Sequence, residues 1–217
     1  MIFNHELLYL HVPKTAGKSL ALALLQTIDR PIRCLLPPGT EKMLRETVDM
    51  TDVTVERSSG HEGMFRAAKV LAEEQRAVDD MKMVLVAIRS PYDLLVSNYH
   101  FMRQNYETNR GKDNFEIAHR SDFEAYAAEV RFAPIDRWFV LGDRIPANLR
   151  LIRYESLQQE FAAAMVDLGY EPPALERVNP SDHEHFLEYM TPRSEQSIYE
   201  KFKYLFDNGY YERLRLS

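Results

Sequence analysis

The sequence has a single cysteine, Cys34, so no disulfide can close within the chain and a cysteine-rich zinc site is excluded. A lone cysteine of this kind reads as a small buried apolar residue. Long apolar runs are missing too: none reaches the length of a membrane span, and no basic segment followed by an apolar block opens the chain. The expectation is a cytoplasmic protein with no membrane partner. Positive charge is also in short supply. Lys and Arg number 27 against 33 Asp and Glu, a net charge of −6, whereas a chain that grips nucleic acid or another long polyanion carries a basic face. A small anion can still be held by a few side chains and backbone amides.

What is present is a soluble globular composition, 45% hydrophobic and 28% charged over 217 residues. There is no internal repeat, low-complexity tract or linker pattern, so the expectation is one domain over residues 1–217. Leu7 to Val12 is an apolar run ending at Pro13, the pattern of a buried strand. Leu20, Leu24 and Ile28 then recur at helical spacing. Further strands are expected at Ile32 to Leu36, Val53 to Glu56, Met83 to Ile88 and Leu149 to Arg153. Helices are expected over Met64 to Arg76, after Pro91, over Ser156 to Leu168 and over Ser194 to Phe206. Alternating strands and helices predict an α/β fold: a three-layer, P-loop-like arrangement with a central parallel sheet flanked by helices.

The first strand-to-helix connection reads HVPKTAGKSL, His11 to Leu20. Such a turn presents unpaired N–H groups and the positive end of a helix dipole, which attract an anion. Gly17 permits close backbone approach, Ser19 adds a hydroxyl, and Lys14 and Lys18 add cationic reach. The plain alternative is a βα turn with two solvated lysines. Gly17-Lys18-Ser19 is half of the nucleotide-binding signature G-x-x-x-x-G-K-[ST], but Val12 stands where its first glycine belongs. The strand Met83 to Ile88 moreover ends in Arg89, where an NTPase would place a magnesium-binding Asp.

The second connection, IRSPYDLLVSNYHF from Ile88 to Phe101, has Ser90 at an N-cap position, Pro91 at the first helical position and Asp93 three residues after Ser90. Ser97 lies about two turns into this helix. Arg89 can bend along the helix to share an anion with Ser97. The plain alternatives are a surface salt bridge for Arg89 and a hydroxyl bonded back to its own helix for Ser97.

Taken together, HVPKTAGKSL, GHEGMF and VAIRSPYDLLVSNYHF resemble the sulfotransferases that use 3′-phosphoadenosine-5′-phosphosulfate (PAPS). The resemblance is strongest to the carbohydrate branch with the heparan and chondroitin 2-O-sulfotransferases, and to its bacterial relatives. It extends less sharply to RYESLQQEF, to Asn179 and to DNGYY. It implies that Lys14, Thr15, Ala16, Gly17, Lys18 and Ser19 bind the 5′-phosphosulfate, and that Arg89 and Ser97 bind the 3′-phosphate. Two departures stand out: Lys18 where Ser or Thr is common, and Ser90 where Asp is common.

Sulfuryl transfer needs an acceptor oxygen in line with the donor's bridging oxygen, a base for the acceptor proton and a cation for the leaving phosphate oxygen. Lys14 is the expected leaving-group stabiliser, with no metal required. His61, after Gly60, is the expected base, with Glu62 in reserve. His11 reads as structural or loop-supporting, His100 as packing, Trp138 as core, and His183 with His185 as too sparse for a metal site. The acceptor is expected to be a carbohydrate or other small molecule, with PAP as the second product. Its specificity would come from loops in Leu36 to Asp52, Gln104 to Ser121 and the C-terminal third. Two other readings remain: a P-loop kinase using ATP and magnesium, and a relative that binds nucleotide without catalysis.

Overall fold

The computed structural model describes residues 1–176 and 184–216, in two compact units. The first comprises residues 1–88 and 137–178, the second residues 89–136 and 179–217.

The first unit is built on a six-stranded sheet. Its strands are β1 (Ile2–Phe3), β2 (Leu7–Leu10), β3 (Ile32–Leu36), β4 (Val53–Arg57), β5 (Met83–Ile88) and β6 (Leu149–Arg153), in the spatial order β4-β3-β1-β2-β5-β6. β2, β5 and β6 pair in parallel, as do β3 and β4. The short β1 was not expected from its two residues. It lies antiparallel between β2 and β3 and joins the two parallel halves. Because β1 opposes both neighbours, β2 to β6 all run the same way and bring their C-terminal ends to one edge. In an open α/β sheet that edge is where ligands bind.

Both faces of the central strands are apolar, as parallel strands covered by helices require. Leu7, Tyr9, Ile32, Cys34, Leu36, Met83, Leu85 and Ala87 line one buried face, packed with α1 (Gly17–Thr27) and with residues Phe161, Ala164, Met165 and Leu168 near the C-terminal end of the unit. Cys34 is fully buried, and burial pushes its thiol up to about 12, which fits the apolar role expected of it. α1 is nearly apolar all round, the pattern of a core helix. Residues 36–52, expected as a loop, contain α2 (Pro38–Thr47), which starts on a proline and buries only Leu44. α3 (Met64–Glu73) follows β4 by way of residues 58–63.

The second unit is helical in its described part. α4 (Pro91–Gln104), α5 (Asp113–Arg120) and α6 (Phe123–Glu129) come first. α5 thus occupies another stretch expected as loop. Tyr99, Phe123, Tyr126 and Tyr189 pack ring against ring, and His100 bonds the Tyr189 hydroxyl through Nε2 at 2.9 Å, in keeping with a packing role.

Back in the first unit, α7 (Leu157–Leu168) follows β6. Glu160 explains part of RYESLQQEF: its Oε2 accepts from the Arg153 N–H at 2.8 Å and its Oε1 from the Ser156 hydroxyl, so it wraps the start of α7. The helix expected over Ser194 to Phe206 is two, α8 (Pro192–Lys201) and α9 (Lys203–Asp207), broken at Phe202. Asn179, Pro180 and His183 lie outside the described residues. His185 accepts from the Leu187 N–H through Nδ1 at 3.4 Å, capping a short 3-10 turn.

Candidate active site

The connection from β2 to α1 is a tight, strained loop. The Thr15 hydroxyl donates to the Val12 carbonyl at 2.8 Å, and Thr15 is fully buried. On either side of it, Lys14 (φ 66°) and Ala16 (φ 60°) adopt the left-handed conformation. Each costs about 1–2 kcal/mol in a residue with a Cβ. This loop leads into a helix whose first N–H groups have no intrahelical acceptor.

Gly17 has a different reason from the one read in the sequence. It is the first residue of α1, with ordinary helical backbone; what it supplies is room for the His11 ring. A Cβ at Gly17 would fall 1.7 Å from His11 Nε2. Lys18 is exposed on the first turn and shares a small cleft, about 20 Å³, with Tyr9, His11, Gly17 and Gly60.

The stretch after β4 is equally determined. Gly60 donates its N–H to Ser58 Oγ at 3.1 Å, and His61 donates its N–H to Ser59 Oγ at 3.2 Å. Gly60 has φ 77°, and a Cβ there would meet Pro37 Cδ at 2.5 Å, so both backbone and space demand glycine. This turn sets the His61 ring 4.6 Å from the His11 ring, centroid to centroid, with His61 Nδ1 3.4 Å from the His11 carbonyl oxygen. A proton on Nδ1 facing that carbonyl leaves Nε2 as the basic nitrogen.

Desolvation holds both imidazoles below the usual histidine range, His11 well below it. For His61 the nearby Arg137 guanidinium pushes the same way, while the His11 carbonyl and Glu62 oppose. Both rings are therefore neutral near pH 7, the form a base needs. Glu62 is buried; Oε1 accepts from the Ser59 hydroxyl at 3.1 Å and Oε2 lies 3.9 Å from the Met1 ammonium. His61 keeps accessible surface that Glu62 lacks.

In the second unit, Arg89 is buried and its Nε donates to Asp93 Oδ2 at 2.7 Å. Asp93 and Ser97 are four residues apart, hence on one face of α4, and Ser97 is itself buried. The capping expectation changes. Ser90 occupies the N-cap position but its side chain makes no capping bond, and Asp93 serves Arg89 instead.

Sequence reasoning underrated His11, whose ring touches both Gly17 and His61. It missed Arg137, whose backbone carbonyl and Nε lie against Gly63. No local signal announces Arg137, because its neighbours come from a distant part of the chain. Trp138 is buried, as expected. Among the described residues one trio of possible metal ligands comes together, His5, Glu6 and Asp29. It sits before β2, at the sheet edge opposite the loops, and Glu6 is already bonded by Tyr170 and near Lys82.

The sulfotransferase domain family matches residues 68–169, just under half of the chain, a stretch that holds Arg89, Ser97 and Arg137 but neither the first loop nor His61. No curated protein matches. Among solved structures, the mouse sulfotransferase SULT7A1 complexed with PAP is similar over 96% of this chain and 88% of that one, at 14% identity and a TM-score of 0.50. Residues 68–169 are thus similar to the sulfotransferase domain family, and the fold is that of a sulfotransferase.

Proposed function

We propose that this protein is a PAPS-dependent sulfotransferase that acts on a hydroxyl of a carbohydrate or other small molecule, with residues 1–217 forming one sulfotransferase-like domain. The observation that carries the reading is the junction of His61, His11 and Gly17, which seats a neutral imidazole beside the anion-binding turn of α1. The PAP bound in the similar mouse sulfotransferase supports the same donor.

Bound PAPS supplies an activated sulfuryl group on a phosphate leaving group. Lys14, Thr15, Ala16, Gly17, Lys18 and Ser19 hold the 5′ end through backbone N–H groups and cations, and Arg89 with Ser97 holds the 3′-phosphate. His61 Nε2 takes the proton from the acceptor hydroxyl as its oxygen bonds to sulfur. The bridging S–O bond breaks, and Lys14 neutralises the charge that develops on the 5′-phosphate oxygen. The transferred group carries less charge than a phosphoryl group, so one lysine can serve where a kinase uses magnesium. The fit rests on the left-handed pair Lys14 and Ala16, a strained conformation of the kind that collects at binding sites.

Calorimetric titration with PAP in the presence of EDTA tests this directly. Binding is expected without magnesium, and Arg89→Ala or Lys14→Ala should weaken it by about tenfold or more, the loss of one charged hydrogen bond. His61→Gln should keep PAP affinity and lose about 10²–10⁴-fold in turnover. Magnesium-dependent ATP binding in place of PAP would establish the kinase reading. Intact PAP binding with no sulfate transfer to a broad hydroxyl panel would establish a non-catalytic relative.

A further inference from the structure

Tyr9 carries a polar group into the core of the first unit with nothing there to bond it. It lies on β2, 1% exposed, and its hydroxyl oxygen is buried without a partner among the described residues. Burial pushes the phenol up in pKa, so it stays a hydroxyl, able both to donate and to accept. Buried hydroxyls are otherwise almost always bonded, to protein or to an ordered water. Tyr9 lines the small cleft of about 20 Å³ together with His11, Gly17, Ala21 and Gly60. A water needs about 10–15 Å³ of such space, so the cleft takes one water and excludes any larger ligand.

The other polar group of the cleft is the His11 ring, half-buried and nearly parallel to the Tyr9 ring, with centroids 6.4 Å apart. A neutral imidazole has one donor nitrogen and one acceptor. Burial first, then His61 and the Met1 ammonium, disfavour a second proton on His11, while the Gly60 carbonyl faces the ring and favours a proton on the nitrogen turned toward it. The remaining nitrogen is an acceptor, and no described residue donates to it. The same two segments are tied in the reverse direction by His61 Nδ1, 3.4 Å from the His11 carbonyl oxygen. Neither side has slack, since Gly17 abuts His11 Nε2 and Gly60 abuts Pro37. A shift of the His11 ring therefore passes through residue 60 to His61.

We propose that the cleft binds one water between the Tyr9 hydroxyl and the His11 ring, and that Tyr9 is thereby a positioning residue for His61. The hydroxyl donates to the water, and the water donates to the acceptor nitrogen of His11. The His11 proton then stays on the Gly60 side, the ring keeps its place, and the His11 carbonyl stays on Nδ1 of His61, leaving Nε2 basic. The charged groups facing the two rings are the Met1 ammonium, Lys14, Glu62 and Arg137. Three of the four are cations, so neutral hydrogen bonds of this kind, rather than ion pairs, hold the imidazoles. The water site stands on the geometry of residues 9–17 and 60–61; only the description of His61 as the base rests on the sulfotransferase reading.

A high-resolution crystal structure of the full-length protein, with nitrogen-15 imidazole spectra of the histidine-labelled protein, tests this without donor or acceptor. Density for one water is expected within about 2.6–3.2 Å of both Tyr9 Oη and a His11 ring nitrogen. His11 should show a single neutral tautomer near neutral pH. Tyr9→Phe removes one oxygen: the water should move or be lost, His11 should populate both tautomers, and the His61 pKa should rise toward its ordinary value of about 6.5 as the ring loosens. Ala21→Val fills the cleft from α1 with the Tyr9 hydroxyl intact, and should reproduce the same histidine changes; it decides the matter if Tyr9→Phe does not fold. A dry cleft, or a Tyr9 hydroxyl bonded to a protein group, overturns the site. Histidine spectra unchanged in the folded variant, whatever its stability, overturn the positioning role. Failure of the PAP titration alone, with the water and the tautomer as expected, removes the name of base from His61 and leaves the water site standing.

Discussion

At the residue scale, the site depends on two glycines that serve in different ways. Gly60 is required by its positive φ and by Pro37 together, a condition no other residue meets. Gly17 has helical backbone and is required only because the His11 ring occupies the space its Cβ would fill. Gly17→Ala should therefore displace His11, and with it the carbonyl that faces His61 Nδ1. The expected cost is about 1–3 kcal/mol of stability, as for overpacking in a filled interior, measured by urea denaturation. Turnover should fall with it. A Gly17→Ala protein of unchanged stability would show that the ring can move aside.

At the scale of elements, the loop proposed to hold the 5′-phosphate is under strain at the mouth of a buried helix. α1 is buried almost all round and cannot shift, so the strain at Lys14 and Ala16 is held by the packing behind them. The two positions should respond differently to glycine. Ala16→Gly relieves a left-handed conformation and should raise stability by about 0.5–1 kcal/mol while keeping PAP affinity. Lys14→Gly relieves the same strain but removes the cation assigned to the leaving phosphate, so it should stabilise the fold and weaken PAP binding. Denaturation and calorimetry on the same two variants separate strain from chemistry. The Arg89–Asp93 pair shows the same economy in α4: a residue expected to cap the helix turns an arginine along the helix face instead.

At the scale of the whole molecule, burial of neutral histidines makes stability depend on pH. In the unfolded chain His11 and His61 take up protons near the ordinary pKa of about 6.5, while in the folded chain both hold off to lower pH. The unfolded state then binds more protons below pH 6.5, so stability should fall as pH drops through that value toward the folded pKa values. The slope is at most about 1.4 kcal/mol per pH unit for each histidine. Urea midpoints between pH 8 and 5 measure this, and His61→Gln should make the slope shallower. A slope unchanged by that substitution would mean that His61 is solvated in the folded protein.

Much of the architecture was legible in the sequence. The strands at Ile32–Leu36, Met83–Ile88 and Leu149–Arg153 lie where unbroken apolar or alternating runs put them, because a covered parallel sheet leaves little choice of residue. The two-residue β1 carried no periodicity to read, and α2 and α5 were hidden by their short length and polar composition. Chain order and residue type alone determined that a strand-to-helix turn with Lys14, Thr15 and Gly17 comes first, that Gly60-His61 follows a strand, and that Arg89 ends another. Only the tertiary structure decided that His11 fills the space of Gly17, that the His61 ring lies against it, and that Arg137 rests on Gly63. Those are contacts between segments far apart in the chain, and side-chain packing, which no local pattern encodes, is what sets them.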